Sequence, residues 1–436
     1  MRLCFYNPHT GLIGTTVYHK LFKKTFHAKY GYLLKLLQDQ QYSTAIVVDG
    51  TVSSFPIEYL TKNTLVLKII AFFEIYIWCF IHQINPFRKT LIFSAKHLDS
   101  ATDILYGFAA LGSPFYDQKL TEKSIFKKFA GKKMLYMSHY FTKTGVYSNH
   151  IKSTGVFCAT AEADLSTSLF FNHYYSFMKN VYILPFALRK RYVQTVDFHS
   201  RKAKCLAIGT THDLKVDDYT RDYCLFFKTT NYHKMRRLIY ENKEALAETM
   251  DSYIYPYEDM QIPNSRFYQK WLIYKYWYKL FHMEQIRYFQ FDIIQKYNEY
   301  MMFVSPEEDV GLPSVNFIEG MACGCAFLGV NHHMYSDIGL VNGVHFITYD
   351  GTLKGLQKMI CHYQSHLDQL EAIARNGYDY IRECFFEERV RAIFWRDLES
   401  YISLGQLKST FVKYPKINSS LHSVSASGKD RSHPII

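Results

Sequence analysis

Residues 303–330, FVSPEEDVGLPSVNFIEGMACGCAFLGV, hold the densest set of groups with a chemical use. In order they read as a buried strand ending at Ser305, an acidic loop containing Gly311, a helix starting near Ser314 to Asn316, and a second buried strand from about Cys325. A glycine loop running into a helix N-terminus turns free N–H groups and the positive end of the helix dipole toward a phosphate, and a diphosphate is the natural guest. Glu319 falls in the first turn of that helix, where a carboxylate can accept hydrogen bonds from a ribose diol. The spacing Asn316-x-x-Glu319 fits a capping box equally well, with Glu319 bonding only the cap N–H. Spacing alone leaves both readings open. Nearer the N-terminus, the turn NPHTGLIGTT carries Gly11 and Gly14, which let the backbone pass close to a ligand or a neighbouring helix. It is not a G-x-G-x-x-G fingerprint.

The run GLPSVNFIEGMACG, followed by an apolar strand, resembles the donor-binding motif of the large retaining glycosyltransferase family that builds bacterial surface polysaccharides (group 1, family 4-like). There Gly-Leu-Pro precedes Glu-Ala-Met-Ala-Cys-Gly. Three further anchors follow the family's order. GVFCATAEADLSTS (155–168) resembles the strand and turn near the end of its N-terminal domain, NVYILPFALRKRY (180–192) resembles its closing Ile-Pro-Asn-Gly strand, and KCLAIG (204–209) resembles the first strand of its donor domain.

The resemblance implies an α/β chain of the GT-B type, two Rossmann-like domains facing across a cleft, with a C-terminal helix returning to the N-terminal domain. It implies that Glu319 holds the nucleotide ribose and that Gly311, Leu312, Pro313 and Ser314 form the donor loop, the N–H groups of Gly311, Leu312 and Ser314 lying on the diphosphate. The family's first Glu, eight positions before the second, falls here on Gly311, so Glu308 and Asp309 become the candidates to touch the transferred sugar. The Arg and Lys that the family often sets on the phosphates have no direct counterpart in GTTHDLK (209–215). Thr210, Thr211 and Lys215 are candidate stand-ins, and Arg236 and Arg237 of HKMRR are another cationic pair. His139, in MLYMSHYF, matches where the family often places an active-site histidine. His97, in IFSAKH, is the alternative, grouped with Gly11 and Gly14 on the acceptor side.

The implied reaction displaces a nucleoside diphosphate from an anomeric carbon with retention, from a UDP- or GDP-linked sugar to a lipid-linked or growing polysaccharide acceptor. Cations and helix N–H groups stabilise the departing diphosphate, and neither a metal nor a cofactor is expected. A nucleotide-sugar epimerase of the same fold and a non-catalytic scaffold are the competing readings, since fold analogy does not decide function.

Parallel βα units are expected to position these groups. Candidate strands are 2–6, 44–48, 90–94, 133–137, 155–158 and 181–185 in the first half, then KCLAIG, CLFFK, SYIYP, IRYFQ, MMFVS, CAFLGV and HFITY. A helix is expected over 353–376, ended by Gly377. A break near 190–203, in LRKRYVQTVDFHSRKAK, loses apolar periodicity and reads as a linker. The resulting plan is an acceptor-binding domain over 1–195, a donor-binding domain over 203–385, a crossover helix over 386–412 and a disordered tail over 413–436.

With 436 residues, 48% of them hydrophobic and 21% charged, the chain has the make-up of a two-domain globular protein. The net charge of +12 calls for an anionic partner. No zinc-finger spacing or RNA-binding signature accompanies it, so nucleic acid is not expected. Nine scattered cysteines read as reduced thiols, and the one close pair, Cys323 and Cys325, as core residues and not metal ligands. The opening RLCFYNP reads as a buried strand and not a signal peptide, which points to the cytoplasm. Residues 64–84 approach spanning length but contain Lys68 and Glu74, and 266–283 interleave aromatics with lysines. Each reads as a core helix or as a segment for an anionic membrane surface, and the second reading makes that surface a partner, with the chain peripheral on the inner face of the cytoplasmic membrane.

Overall fold

β1 (Arg2–Tyr6) sets the character of the first sheet. Leu3, Cys4, Phe5 and Tyr6 are all buried, so both faces of the strand are covered, as in a parallel sheet between helix layers. The computed structural model describes residues 1–8, 35–39, 41–51, 63–107, 120, 122–137, 140–178, 180–214, 216–218, 220–256, 292–306 and 309–404. β2 (Thr44–Val47), β3 (Thr90–Ile92), β4 (Asp103–Gly107), β5 (Lys132–Tyr136), β6 (Cys158–Ala161) and β7 (Asn180–Ile183) complete a seven-stranded sheet in the order β3-β2-β1-β4-β5-β6-β7, every pair parallel. Helices α1 (Thr64–Ile81), α2 (Ile125–Lys128), α3 (Thr144–Ser153) and α4 (Leu169–Tyr175) belong to this unit.

The second unit is built on β8 (Lys202–Thr211), β9 (Met250–Pro256), β10 (Tyr300–Val304), β11 (Ala326–Val330) and β12 (Ile347–Tyr349), also all parallel, in the order β12-β11-β10-β8-β9. Its helices are α5 (Arg221–Phe227), α6 (Lys234–Glu241), α7 (Ile293–Glu299), α8 (Asn316–Ala322), α9 (His333–Ser336), α10 (Leu353–Gln364) and α11 (Leu367–Cys384). Strand order reverses between β8 and β10, and the crevice outside their carboxyl ends is where an open sheet of this kind receives ligands.

The expected two parallel α/β units are present, and so is the returning helix. α12 (Glu387–Leu404) lays Trp395 against Tyr42 at 4.2 Å between ring centroids, and the Trp395 Nε1–H donates to Asp39 at 2.9 Å. Arg391 pairs with the same Asp39, and Lys35 pairs with Glu387 at 2.7 Å. The units also share a hydrophobic cluster in which Tyr223 and Phe227 of α5 pack on Phe170 of α4, while the Gly145 N–H donates to Asp222 at 2.7 Å.

Several expected elements differ. CLFFK lies mostly in α5 and not in a strand, because four apolar residues in a row suit a buried helical turn as well as a strand. β4 was not among the expected strands, since DILYG opens on a charge and closes on a glycine. In the fold that charge is used, Asp103 being buried and taking Arg2 Nε at 2.9 Å and Nη2 at 2.6 Å. The strand expected at 155–158 runs Cys158–Ala161, and IRYFQ lies outside the described residues, as do the 413–436 tail and 266–283. The helix expected over 353–376 is two helices, α10 and α11, parted at Ser365–His366.

Gly377 does not end a helix but sits inside α11, where a Cβ would lie 2.5 Å from the His345 carbonyl oxygen. Helix propensity favours alanine there by about 1 kcal/mol, whereas crowding a packed core costs about 1–3 kcal/mol. Gly377→Ala is therefore expected to lower the melting temperature, and a raised one would show that α11 can shift at no cost.

Candidate active site

The loop between β10 and α8 is shaped by what holds its middle. Val310 and Leu312 are buried in the cluster shared with the first unit. The Val310 carbonyl accepts the Tyr140 hydroxyl at 2.8 Å and the Ser168 hydroxyl at 3.2 Å, both from the first unit. Between these two anchors Gly311 adopts φ +84°, where a side chain would be strained. Its neighbour Asp309 is fixed by the Tyr223 hydroxyl, which donates to Oδ2 at 3.2 Å, and burial raises the carboxyl's pKa. At the loop's far end Ser314 Oγ receives Ser305 Oγ at 3.2 Å and the Asn316 N–H at 3.4 Å.

Asp309 and Gly311 line a cavity of about 320 Å³ at the carboxyl ends of β10, β11 and β12. Lys234 and Met235, at the first turn of α6, form another wall, and His332 and Gly351 close it. α6 has no side-chain cap, so its first N–H groups and Lys234 present positive charge on this side. The His332 Nδ1 accepts the Met334 N–H at 3.2 Å, which leaves the ring proton on Nε2, 3.9 Å from where a Gly311 Cβ would stand. Burial, with the charge of His333 adding to it, lowers the His332 pKa to about 4, so the ring is a neutral N–H donor at pH 7. The wall therefore combines an ammonium, a helix N-terminus and an imidazole N–H with one carboxylate, which suits an anion carrying hydroxyl groups.

Arg236 is placed across the strand-order reversal itself. It is buried, its Nε donates to the Pro306 carbonyl at 2.9 Å beyond β10, and its side chain covers Gly209 near the end of β8. Thr211 is buried at the end of β8, and Thr210 Oγ1 lies 3.1 Å from the His212 Nε2. Arg237 turns outward to Asp213 and Glu241. His97 ends a short turn after the edge strand β3, exposed and away from the cavity. Gly11, Gly14, His139, Lys215 and Glu308 lie outside the described residues.

Glu319 does not form the capping box. Val315 occupies the cap position without a side-chain bond, Asn316 is already helical, and the Asn316 Nδ2 donates to Ser305 Oγ at 3.1 Å. Glu319 instead pairs through Oε1 with Arg189 of the segment expected to be a linker, and its Oε2 is buried with no hydrogen-bond partner. Arg189 also donates to the Tyr192 hydroxyl at 2.7 Å, and burial, with the Glu319 charge beside it, pushes that phenol's pKa up. Glu319, Leu312, Pro313 and Ser314 do not line the cavity, whereas Lys234 and His332, unmarked by the sequence reading, do. The available signal was position, since the residues directly after β11 and at the start of α6 face the carboxyl edge of the sheet. Among the described residues no group of three His, Cys, Asp or Glu side chains is placed to hold a metal ion.

No protein-family model matches the chain, and no curated protein matches it in sequence. Solved structures are similar to it at 9–12% identity. HepE from Anabaena, in complex with UDP and glucose, is 10% identical over 92% of this chain and 100% of that one, with a TM-score of 0.48. Sucrose-phosphate synthase from Thermosynechococcus elongatus is 9% identical over 92% and 99%, with a TM-score of 0.47. A glycosyltransferase from Rickettsia africae is 12% identical over 93% and 99%, with a TM-score of 0.41.

The Arg189–Glu319 pair has side chains 21% and 3% exposed, so removing one partner strands a charge. Arg189→Met should lower stability by about 3–5 kcal/mol, while Arg189→Met with Glu319→Gln should recover most of that loss. Denaturant unfolding of both variants measures it, and a single-mutant loss under about 1 kcal/mol would mean that solvent screens the pair.

Proposed function

We propose that the chain is a glycosyltransferase of the GT-B type that takes a UDP- or GDP-linked sugar in the cavity of its second unit. The observation that carries this reading is the cavity lining: Lys234 at the open N-terminus of α6, the His332 N–H beside Gly311, and Asp309. A nucleoside diphosphate leaving group needs positive compensation as its bond to the anomeric carbon breaks, and Lys234, the helix N-terminus and the His332 N–H supply it without calling for a metal. Asp309 stands where the sugar's hydroxyls need an acceptor, in the role of the family's first Glu. Glu319 keeps one buried carboxylate oxygen unpaired. Glu319 is the residue the resemblance assigns to the ribose, and to meet it from the cavity its buried side chain has to part from Arg189. We take the transfer to proceed with retention.

The acceptor we propose is lipid-linked, with the chain peripheral on the cytoplasmic face of a membrane. α1 supports this. One face packs inward through Ala71, Ile75, Trp78 and Cys79, with Glu74 buried among them. The other face exposes Leu65, Ile69, Phe73, Ile77 and Phe80, the last at 84%, beside exposed Phe87 and Phe93. Both faces of this helix are therefore apolar, a pattern that demands burial on both sides. Exposed Lys68, Arg88 and Lys96 flank the patch, a mixture suited to anionic headgroups.

Incubation with a panel of UDP- and GDP-sugars tests the reaction. Sugar found on an acceptor supports the proposal, while a new free nucleotide-sugar would make the chain an epimerase, and no binding or turnover of any donor would remove it. For the surface, cosedimentation with phosphatidylglycerol vesicles at low salt is expected, with Phe73→Asp plus Phe80→Asp releasing the chain. Equal sedimentation of wild type and variant would contradict the role of α1.

A further inference from the structure

The family resemblance puts the group that handles the acceptor hydroxyl in the first unit, at His139. The described structure presents a different candidate, on the second unit. His333 follows the cavity-lining His332, the two rings 4.2 Å apart. Its Nδ1 lies 2.7 Å from Asp337 Oδ2, one helical turn on, and its Nε2 lies 2.5 Å from the hydroxyl of Thr167, which comes across from the first unit. A carboxylate only accepts, so Nδ1 carries the proton and Nε2 offers a lone pair to the hydroxyl. Hydroxyl, imidazole and carboxylate in that order are the arrangement that activates an alcohol for attack.

We propose that His333, held by Asp337, is the base for the acceptor hydroxyl, and that the Thr167 hydroxyl occupies the place this hydroxyl takes when the acceptor enters. This rests on the glycosyltransferase reading above. Thr167 is exposed and the His333 side chain is 35% exposed, so the position can be reached from solvent. Ser168, next to Thr167, is one of the two side chains holding the Val310 carbonyl, so the acceptor position is tied to the loop that lines the donor cavity. In the step, the acceptor O–H proton passes to His333 Nε2 and the acceptor oxygen bonds to the anomeric carbon. The bond from that carbon to the nucleoside diphosphate breaks, its electron pair leaving on the diphosphate toward Lys234 and the His332 N–H. Asp337 balances the imidazolium until its proton is lost to solvent.

Four full-length variants test it, with UDP-glucose, UDP-N-acetylglucosamine and GDP-mannose as donors and octyl glycosides as acceptors. His333→Gln is expected to lower the transfer rate roughly 10²–10⁴-fold and leave nucleoside diphosphate affinity within about twofold. Asp337→Asn is expected to lower it in the same direction. Thr167→Val should lose far less rate than His333→Gln, because its hydroxyl only holds the acceptor's place, and imidazole in the buffer should restore part of the rate of His333→Ala. If Thr167→Val falls as far as His333→Gln, the contact is a clasp between the units and the proposal is overturned. A wild-type rate in His333→Gln overturns it while leaving the glycosyltransferase reading in place, whereas a wild-type chain that transfers from no donor removes both.

Discussion

One backbone carbonyl, that of Val310, governs the geometry of the cleft. It accepts two hydroxyls from the first unit, Tyr140 and Ser168, while its side chain is buried in the core both units share. Neutral hydrogen bonds of this kind contribute about 0.5–1.5 kcal/mol each, less than the apolar contacts around them. Their importance lies in direction. With Val310 fixed, Gly311 must turn at φ +84° and Asp309 must face the cavity, where Tyr223 meets it. The same anchor brings the Thr167–Ser168 segment beside His333, so one loop sets the cavity wall and the contact between the units.

Charge is distributed in the second unit according to what each cation compensates. Arg201 is buried and donates to the carbonyls of Val196 at 2.7 Å and Cys323 at 2.9 Å, closing the end of α8. Arg236 joins the ends of β8 and β10, and Arg189 answers Glu319. Three arginines are thus committed to the fold, whereas Lys234 stands at the cavity, its charge close enough to Asp309 to oppose the effect of burial on that carboxyl. An ammonium at an uncapped helix start is a simple receptor for a phosphate.

How much of this was legible in the sequence depended on whether the signal was local. The strands around 303–330 were readable because fully buried parallel strands are short unbroken apolar runs, and β10, β11 and the helix between them fall where expected. DILYG was not readable, since Asp103 becomes an acceptable strand residue only once Arg2, 101 positions away, lies opposite it. The basic run at 188–204 looked like a solvated linker, yet Arg189 and Arg201 are spent on partners more than a hundred residues away. Glu319 read from spacing as a ribose ligand or a helix cap, and its buried partner Arg189 lay beyond what spacing shows. His332 and His333 were invisible for the same reason: two histidines after a strand acquire meaning only from Gly311, Thr167 and Asp337 around them.

The central claim is that the cavity bounded by Lys234, Asp309 and His332 receives the diphosphate of a nucleotide-sugar. A crystal structure of the chain with UDP or GDP tests this most directly. Phosphate oxygens are expected within about 3.2 Å of Lys234 Nζ and His332 Nε2 and facing the first turn of α6. A nucleotide bound elsewhere, with Lys234 and His332 still facing solvent, would contradict it.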